Sequence, residues 1–212
     1  MLIIGVTGQI ATGKSTIAKL IAAKKKAALF DADQVIAKLY SKKSVLKQIA
    51  KLSNKLNAAL IKDRAKFARF IFARPAMLKD LENILHPLLR KELKIFLRKA
   101  LLQKKQQVIL DVPLLFQSGM NNICDIVLIT KSSKLRQQVR FFNRKGATQP
   151  KLNNILKKQH YSFYNIKKAD MVINNNFALN HNKQIIDKFI RGVNARSSTG
   201  YRNYGFKHRR WR

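Results

Sequence analysis

Gly8-Gln9-Ile10-Ala11-Thr12-Gly13-Lys14-Ser15 fits the spacing G-x-x-x-x-G-K-[ST] and constrains the fold more than any other feature of the chain. Met1 to Val6 reads as a short apolar strand feeding the loop, and Ser15 to Ile21 continues as a helix with its apolar residues on one side. Backbone N–H groups of such a loop converge on phosphate oxygens, and the helix N-terminus adds partial positive charge. Lys14 reaches the outer phosphates, and the Ser15 hydroxyl can ligate Mg²⁺. The candidate nucleotide-binding residues are Gly8, Ala11, Thr12, Gly13, Lys14, Ser15 and Thr16. The alternative is an ordinary strand-to-helix turn, but a mere turn does not need Lys-Ser after its second glycine.

Further apolar strand candidates are Ala28 to Phe30, Gln107 to Leu110, Ile126 to Ile129 and Met171 to Ile173. Helical stretches separate them, which implies a parallel sheet covered on both faces with ligands at the carboxyl ends of its strands. Between the second and third strands, helical patterns at Ser44 to Leu56 and Leu78 to Leu102 read as an acceptor-binding insertion over about residues 35–105. Pro75 and His86-Pro87 break the pattern, and Pro87 suits the first turn of a new helix, where its missing N–H is harmless. No repeat of solenoid period is evident.

The chain has 212 residues, enough for one domain with a small insertion. A single cysteine, Cys124, rules out an intrachain disulfide and fits a reducing, cytoplasmic compartment. Lys and Arg cut every apolar stretch well before about 18 residues, so no transmembrane span is expected. The start of the chain carries no basic region and is not read as a signal peptide. The formal net charge of +34 has two readings, a compositional drift of the surface toward lysine or an anionic partner such as nucleic acid or membrane. Asp31, Asp33, Asp111, Asp125 and Asp170 all fall at or beside strand ends, where α/β proteins place their chemistry.

Phe30-Asp31-Ala32-Asp33 closes the second strand. Asp33 is placed to accept a proton from an acceptor hydroxyl, or else to cap a helix starting at Gln34. An apolar strand closed by Asp111 is a Walker B arrangement, whose carboxylate holds Mg²⁺ directly or through water.

Several segments, in order, resemble the dephospho-coenzyme A kinases from the N-terminus to about residue 190. They are GVTGQIATGKST at Gly5 to Thr16, DAD at Asp31 to Asp33, DRAKFARFIFARP at Asp63 to Pro75, and LENILHPLLR at Leu81 to Arg90. Then come LDVPLLFQSG at Leu110 to Gly119, CDIVLI at Cys124 to Ile129, the spaced Arg140 and Arg144, and KADMVINN at Lys168 to Asn175. The resemblance implies a three-layer α/β/α P-loop kinase fold with a helical substrate-binding insertion and a lid at about 140–168. The implied reaction moves the terminal phosphoryl group of ATP, with Mg²⁺, to the ribose 3′-hydroxyl of dephospho-coenzyme A. By the same resemblance Asp33 is the catalytic base, Lys14 the phosphate lysine, and Ser15 and Asp111 the magnesium ligands. Thr7, Asp33, Arg64 and His86 match the acceptor site. Arg140 and Arg144 match lid arginines, and Asn175 follows the last strand, where adenine is held.

Bland readings stand beside several of these. Arg140 and Arg144, spaced i, i+4 on an expected helix, also suit a solvated face; His86 also suits a core histidine, and Asn174 to Asn176 a simple turn. Departures from the family pattern include Gln9 and Ala11 where glycine is usual, Gln117 after PLLF, and Asn165 where a basic residue is common. Loss of those glycines takes backbone freedom from the loop. Residues 192–212 fall outside the resemblance. They carry Arg with Tyr201, Tyr204, Phe206 and Trp211 and no acid, a composition of disordered tails and also of segments that contact RNA or anionic surfaces. Three functions are thus weighed: this kinase, another small-molecule P-loop kinase of nucleosides or sugars, and a nucleic-acid-binding protein on a P-loop scaffold.

Overall fold

The computed structural model describes residues 1–23, 27–159 and 166–198. Its five strands are β1 (Leu2–Gly8), β2 (Ala27–Asp31), β3 (Gln107–Asp111), β4 (Ile126–Lys131) and β5 (Met171–Asn174), in the sheet order β2-β3-β1-β4-β5. The pairs β1–β3, β1–β4 and β4–β5 are parallel. Near-continuous apolar runs suit strands covered on both faces, and Ile4, Val6, Ile109, Leu110 and Leu128 are fully buried. Each strand except β1 at its start extends past its apolar run into polar residues, because ladder pairing continues where hydropathy no longer marks it. Register sets Val6 opposite Asp111 and Gly8 opposite Thr130, so β3 ends two residues before the end of β1 and β4 runs one residue beyond it. Strand order reverses at β1, the switch point where such sheets bind ligands.

The chain divides into two compact units. One contains the sheet, built from Met1–Leu29 and the chain from Gln103 onward. Its helices are α1 (Lys14–Ala22), α7 (Lys134–Phe142), α8 (Gln149–Lys158) and α9 (Leu179–Ser198). Ile17 and Ile21 of α1, with Ile186 and Ile190 of α9, pack on Ile4, Ile109 and Leu128 of the sheet. Helix α9 runs through Ser198, beyond Gly192, where the sequence places the start of an irregular tail. Residues 199–212 of that tail lie outside the described residues.

Two of the strand-end acids occupy the opposite end of the sheet from the chemistry. Asp125 Oδ2 accepts the Ile3 N–H at 2.8 Å, and Asp170 Oδ2 accepts the Val127 N–H at 2.7 Å. Both sit before the amino ends of their strands and prolong the ladders there. The expectation of catalytic placement therefore fails for these two. They act instead on Cys124: burial first, then the Asp125 and Asp170 carboxylates, pushes its thiol pKa far up. The side chain also fills the space over Gly5, where an added Cβ would lie 2.7 Å from Cys124 Sγ. Iodoacetamide at pH 8 is expected to label Cys124 far more slowly in the folded than in the denatured protein, since the thiolate is the nucleophile. Equal rates would contradict this environment.

The second unit spans Phe30–Leu102 and is helical after the end of β2. It comprises α2 (Ala32–Leu39), α3 (Lys43–Ala50), α4 (Ala58–Lys62), α5 (Arg64–Phe72) and α6 (Pro75–Leu102). Val45, Ile49, Ile61 and Ile71 join Leu81 and Leu85 in its core. Helix α3 stops six residues short of the expected Leu56. Ser53 accounts for the stop, because its Oγ accepts the Lys55 N–H at 3.2 Å and its carbonyl accepts the Leu56 N–H in a turn.

Helix α6 runs unbroken through Pro87, which is interior rather than the start of a new helix. An interior proline costs about 3 kcal/mol. Leu81, Leu85, Leu89, Leu93 and Leu97 all bury on one side of the helix, each contributing about 1.5–3 kcal/mol, so packing outweighs the break.

Candidate active site

Gly13 ends the phosphate loop in a left-handed conformation, φ 87°, and α1 starts at the next residue with no side chain capping it. Its first N–H groups are thereby available to an anion. A side chain at position 13 would collide with the Asn175 amide, and one at Gly8 with Thr130. Ala11 adopts φ 59° despite its Cβ, at a cost of roughly 1–2 kcal/mol. Its methyl is buried against Phe141 of α7 and Leu152 of α8. The glycine-to-alanine departure thus keeps the loop's left-handed turn and fastens it to two helices.

Polar side chains from four other segments brace the same loop. Gln137 of α7 donates Nε2–H to the Ile10 carbonyl at 2.7 Å, and Gln159 accepts the Ile10 N–H through Oε1 at 2.6 Å. Thr12 donates its hydroxyl to the Gln9 carbonyl at 2.7 Å and lies 2.8 Å from Thr130 Oγ1 of β4. Asn175 donates Nδ2–H to the Thr12 carbonyl at 2.9 Å, while its Oδ1 accepts from Asn182 Nδ2 of α9 at 2.9 Å. Gln137, Gln159, Thr130 and Asn182 carry no signal in the sequence, because one amide or hydroxyl on a helix or strand reads like any solvated polar residue. Asn182 is buried. Asn182→Leu is expected to lower stability by about 1–3 kcal/mol by leaving Asn175 Oδ1 unpaired. A denaturation midpoint unchanged by that substitution would show that the brace carries no energy.

At the loop's far end, Lys14 Nζ lies 2.6 Å from Asp111 Oδ1, with side chains 10% and 3% exposed. The pair joins the first residue of α1 to the last of β3, which lies opposite Val6 of β1. Ser15 follows, half-buried in the first helical turn, and Thr16 is exposed. One hydroxyl and one carboxylate beside a phosphate loop fit Mg²⁺, which takes few protein ligands and completes its shell with phosphates and water. Among the described residues, no group of three or more His, Cys, Asp or Glu is arranged to hold a metal.

Arg140 and Arg144 part company. Arg140 lies on α7 with its Nη2 donating to the Asn175 carbonyl at 3.0 Å, next to Gly13. Helix α7 ends at Phe142, so Arg144 lies beyond it in an exposed turn and shares no helical face with Arg140. Thr7 is fully buried at the end of β1 and donates its hydroxyl to the Pro113 carbonyl at 3.1 Å.

The remaining candidates belong to the helical unit. Asp31, not Asp33, caps α2: its Oδ1 accepts the Gln34 N–H at 3.0 Å and its Oδ2 accepts from the Gln34 amide at 2.9 Å. Helix α2 begins at Ala32, two residues before the start expected at Gln34, and Asp33 is an exposed residue of its first turn. Arg64 opens α5 after the capping Asp63, and its side chain lies outside the described residues, as does Asn165. His86 is half-buried on α6.

The family model for dephospho-CoA kinase matches residues 2–181. The chain belongs to the dephospho-CoA kinase family. A dephospho-CoA kinase of Fusobacterium nucleatum is 36% identical over 199 residues, covering 91% of this chain and 99% of its own. The structure of TT1252 from Thermus thermophilus has TM-score 0.74 and 25% identity, with coverage of 91% of this chain and 97% of that one. A dephospho-CoA kinase from Campylobacter jejuni shares the fold at TM-score 0.59 and 24% identity, over 92% and 98% of the two chains. As a dephospho-CoA kinase family member, the chain is a kinase built on a P-loop core.

Proposed function

We propose that this chain phosphorylates the ribose 3′-hydroxyl of dephospho-coenzyme A with ATP, giving coenzyme A and ADP. The observation that carries the reading is the Lys14–Asp111 pair, 2.6 Å long, at the end of a braced phosphate loop within the family match. Phosphoryl transfer needs positioning and charge neutralisation more than covalent chemistry. Lys14 exchanges its carboxylate partner for the outer phosphates of ATP and stabilises charge as it moves between them. Loop N–H groups from Gly8 to Thr16 hold the phosphates. Ser15 and Asp111 are the residues that would hold Mg²⁺, which neutralises phosphate charge when bound.

Asp33 serves as the base that takes the proton of the acceptor hydroxyl. Arg140 adds positive charge beside the loop, and Arg144 adds it from a surface turn. Arg64 and His86 belong to acceptor recognition. Two roles change with the geometry. Asn175 spends its side chain on the Thr12 carbonyl and Asn182, so it positions the loop rather than reading adenine. Thr7 spends its hydroxyl on Pro113, so it supports the end of β1. A cytosolic place is part of the proposal, on the ground of one thiol in the whole chain; among the described residues, no helix is long and apolar enough to cross a membrane.

An equimolar mixture of dephospho-coenzyme A, adenosine, deoxyadenosine and a simple sugar, offered with Mg-ATP, tests the acceptor class. Phosphorylation of dephospho-coenzyme A alone is expected. Preference for a nucleoside or the sugar would place the chain's activity elsewhere among P-loop kinases.

A further inference from the structure

The C-terminal half of α6 carries a surface to which the proposed reaction assigns no residue. At 3.6 residues per turn, Lys91, Lys94, Ile95, Arg98, Leu101 and Leu102 fall within an arc of about 120° and a length of about 17 Å. Leu93, Leu97 and Ala100 bury on the other side of the same turns. Ile95 is 52% exposed, Leu101 58% and Leu102 85%, while Lys91, Lys94 and Arg98 are exposed around them. Glu92 is the only acid between residues 83 and 110, and it is held off this arc by Lys42, whose Nζ lies 2.6 Å away.

Long aliphatic side chains interleaved with cations on one helical face match the boundary of an anionic bilayer. There the cations meet headgroup phosphates and the aliphatic tips enter the acyl edge. We propose that this face of α6 docks the protein reversibly on an anionic lipid surface, with Ile95, Leu101 and Leu102 as the inserting residues. The excess of 44 Lys and Arg over 10 Asp and Glu supplies the complementary charge.

Nucleic acid is the poorer fit. Single strands are bound by stacking bases on aromatic rings, and this arc has none. Phe96, the aromatic residue of these turns, faces inward with its ring 5.4 Å from that of Phe30. A second copy of the chain is a poorer fit still, because like charges on the two faces repel.

Co-sedimentation with phosphatidylcholine vesicles, with and without phosphatidylglycerol, tests the proposal on the full chain. A chain of charge +34 adheres to anionic vesicles to some degree through charge alone, so the deciding variant keeps charge constant. Leu101→Ser/Leu102→Ser is expected to lower partitioning onto phosphatidylglycerol vesicles at least about tenfold, with kinase activity and helical circular dichroism unchanged. Lys91→Gln/Arg98→Gln is expected to lower partitioning likewise and to flatten the salt dependence. Binding unaffected by the two serines would overturn the proposal and leave only diffuse charge attraction. So would tighter binding to single-stranded RNA that the glutamine variant abolishes, or a concentration-dependent dimer that the two serines dissolve. Leu102→Ser alone, at a residue 85% exposed, keeps the test valid if the double variant folds poorly.

Discussion

Replacing Lys14 by alanine is expected to lower turnover at least about a hundredfold, roughly 2.7 kcal/mol of barrier, because its charge matters most as negative charge moves between phosphates. The same substitution strands Asp111, 3% exposed, without its cation. Removing one partner of a buried ion pair costs about 3–5 kcal/mol, so Lys14→Ala alone is also expected to lower the melting temperature by several degrees. The two losses are compared in the double variant Lys14→Ala/Asp111→Asn, with Asp111→Asn alone as the control for the magnesium ligand it removes. A neutral amide at position 111 leaves no uncompensated charge, so stability returns in large part while turnover stays low. Near-normal turnover in either folded variant would remove the role given to Lys14. Recovery of activity together with stability would mean that the lysine only holds the strand end.

Asp33→Asn is expected to lower turnover by about a hundredfold to ten-thousandfold, the range of a positioned general base, while moving stability by less than about 1 kcal/mol. The structure sharpens this experiment. Asp31 caps α2, so substitution at position 33 leaves the cap intact. Asp31→Ala is the matching control and is expected to show a stability loss of about 1 kcal/mol through the lost cap. Stability loss with full turnover in Asp33→Asn would make Asp33 a structural group and remove its role as the base.

The parts of the molecule legible in the sequence are those where the chemistry tolerates few residue types at fixed spacing. Gly13-Lys14-Ser15 is such a place, since a left-handed turn, a long cation and a short hydroxyl have few substitutes. The five strands were legible because burial on both faces demands unbroken apolar runs. Pro87 misled because local propensity registers its missing N–H but not the leucine ladder that holds α6 together on either side. Asp125 and Asp170 misled because composition marks a strand end without telling which end it is. The expected shared helical face of Arg140 and Arg144 fails because helix α7 stops at Phe142, and nothing in the i, i+4 spacing marks that boundary.

The brace around the phosphate loop was illegible for a different reason. Gln137, Gln159 and Asn182 act through single hydrogen bonds to the loop's backbone or to Asn175. An amide that bonds backbone imposes no spacing on its neighbours. Only the folded arrangement distinguishes it from an amide in water.

Incubating the protein with Mg-ATP and dephospho-coenzyme A, and following the acceptor by mass spectrometry with fragmentation to locate the added group, decides whether the chain carries the proposed activity. One added phosphoryl group on the ribose 3′-oxygen is expected, with ADP formed in equal amount and both products at least about a hundredfold slower to form in the Lys14→Ala/Asp111→Asn protein. ATP consumed with no phosphorylated acceptor, or phosphate placed on any other oxygen, would contradict that activity.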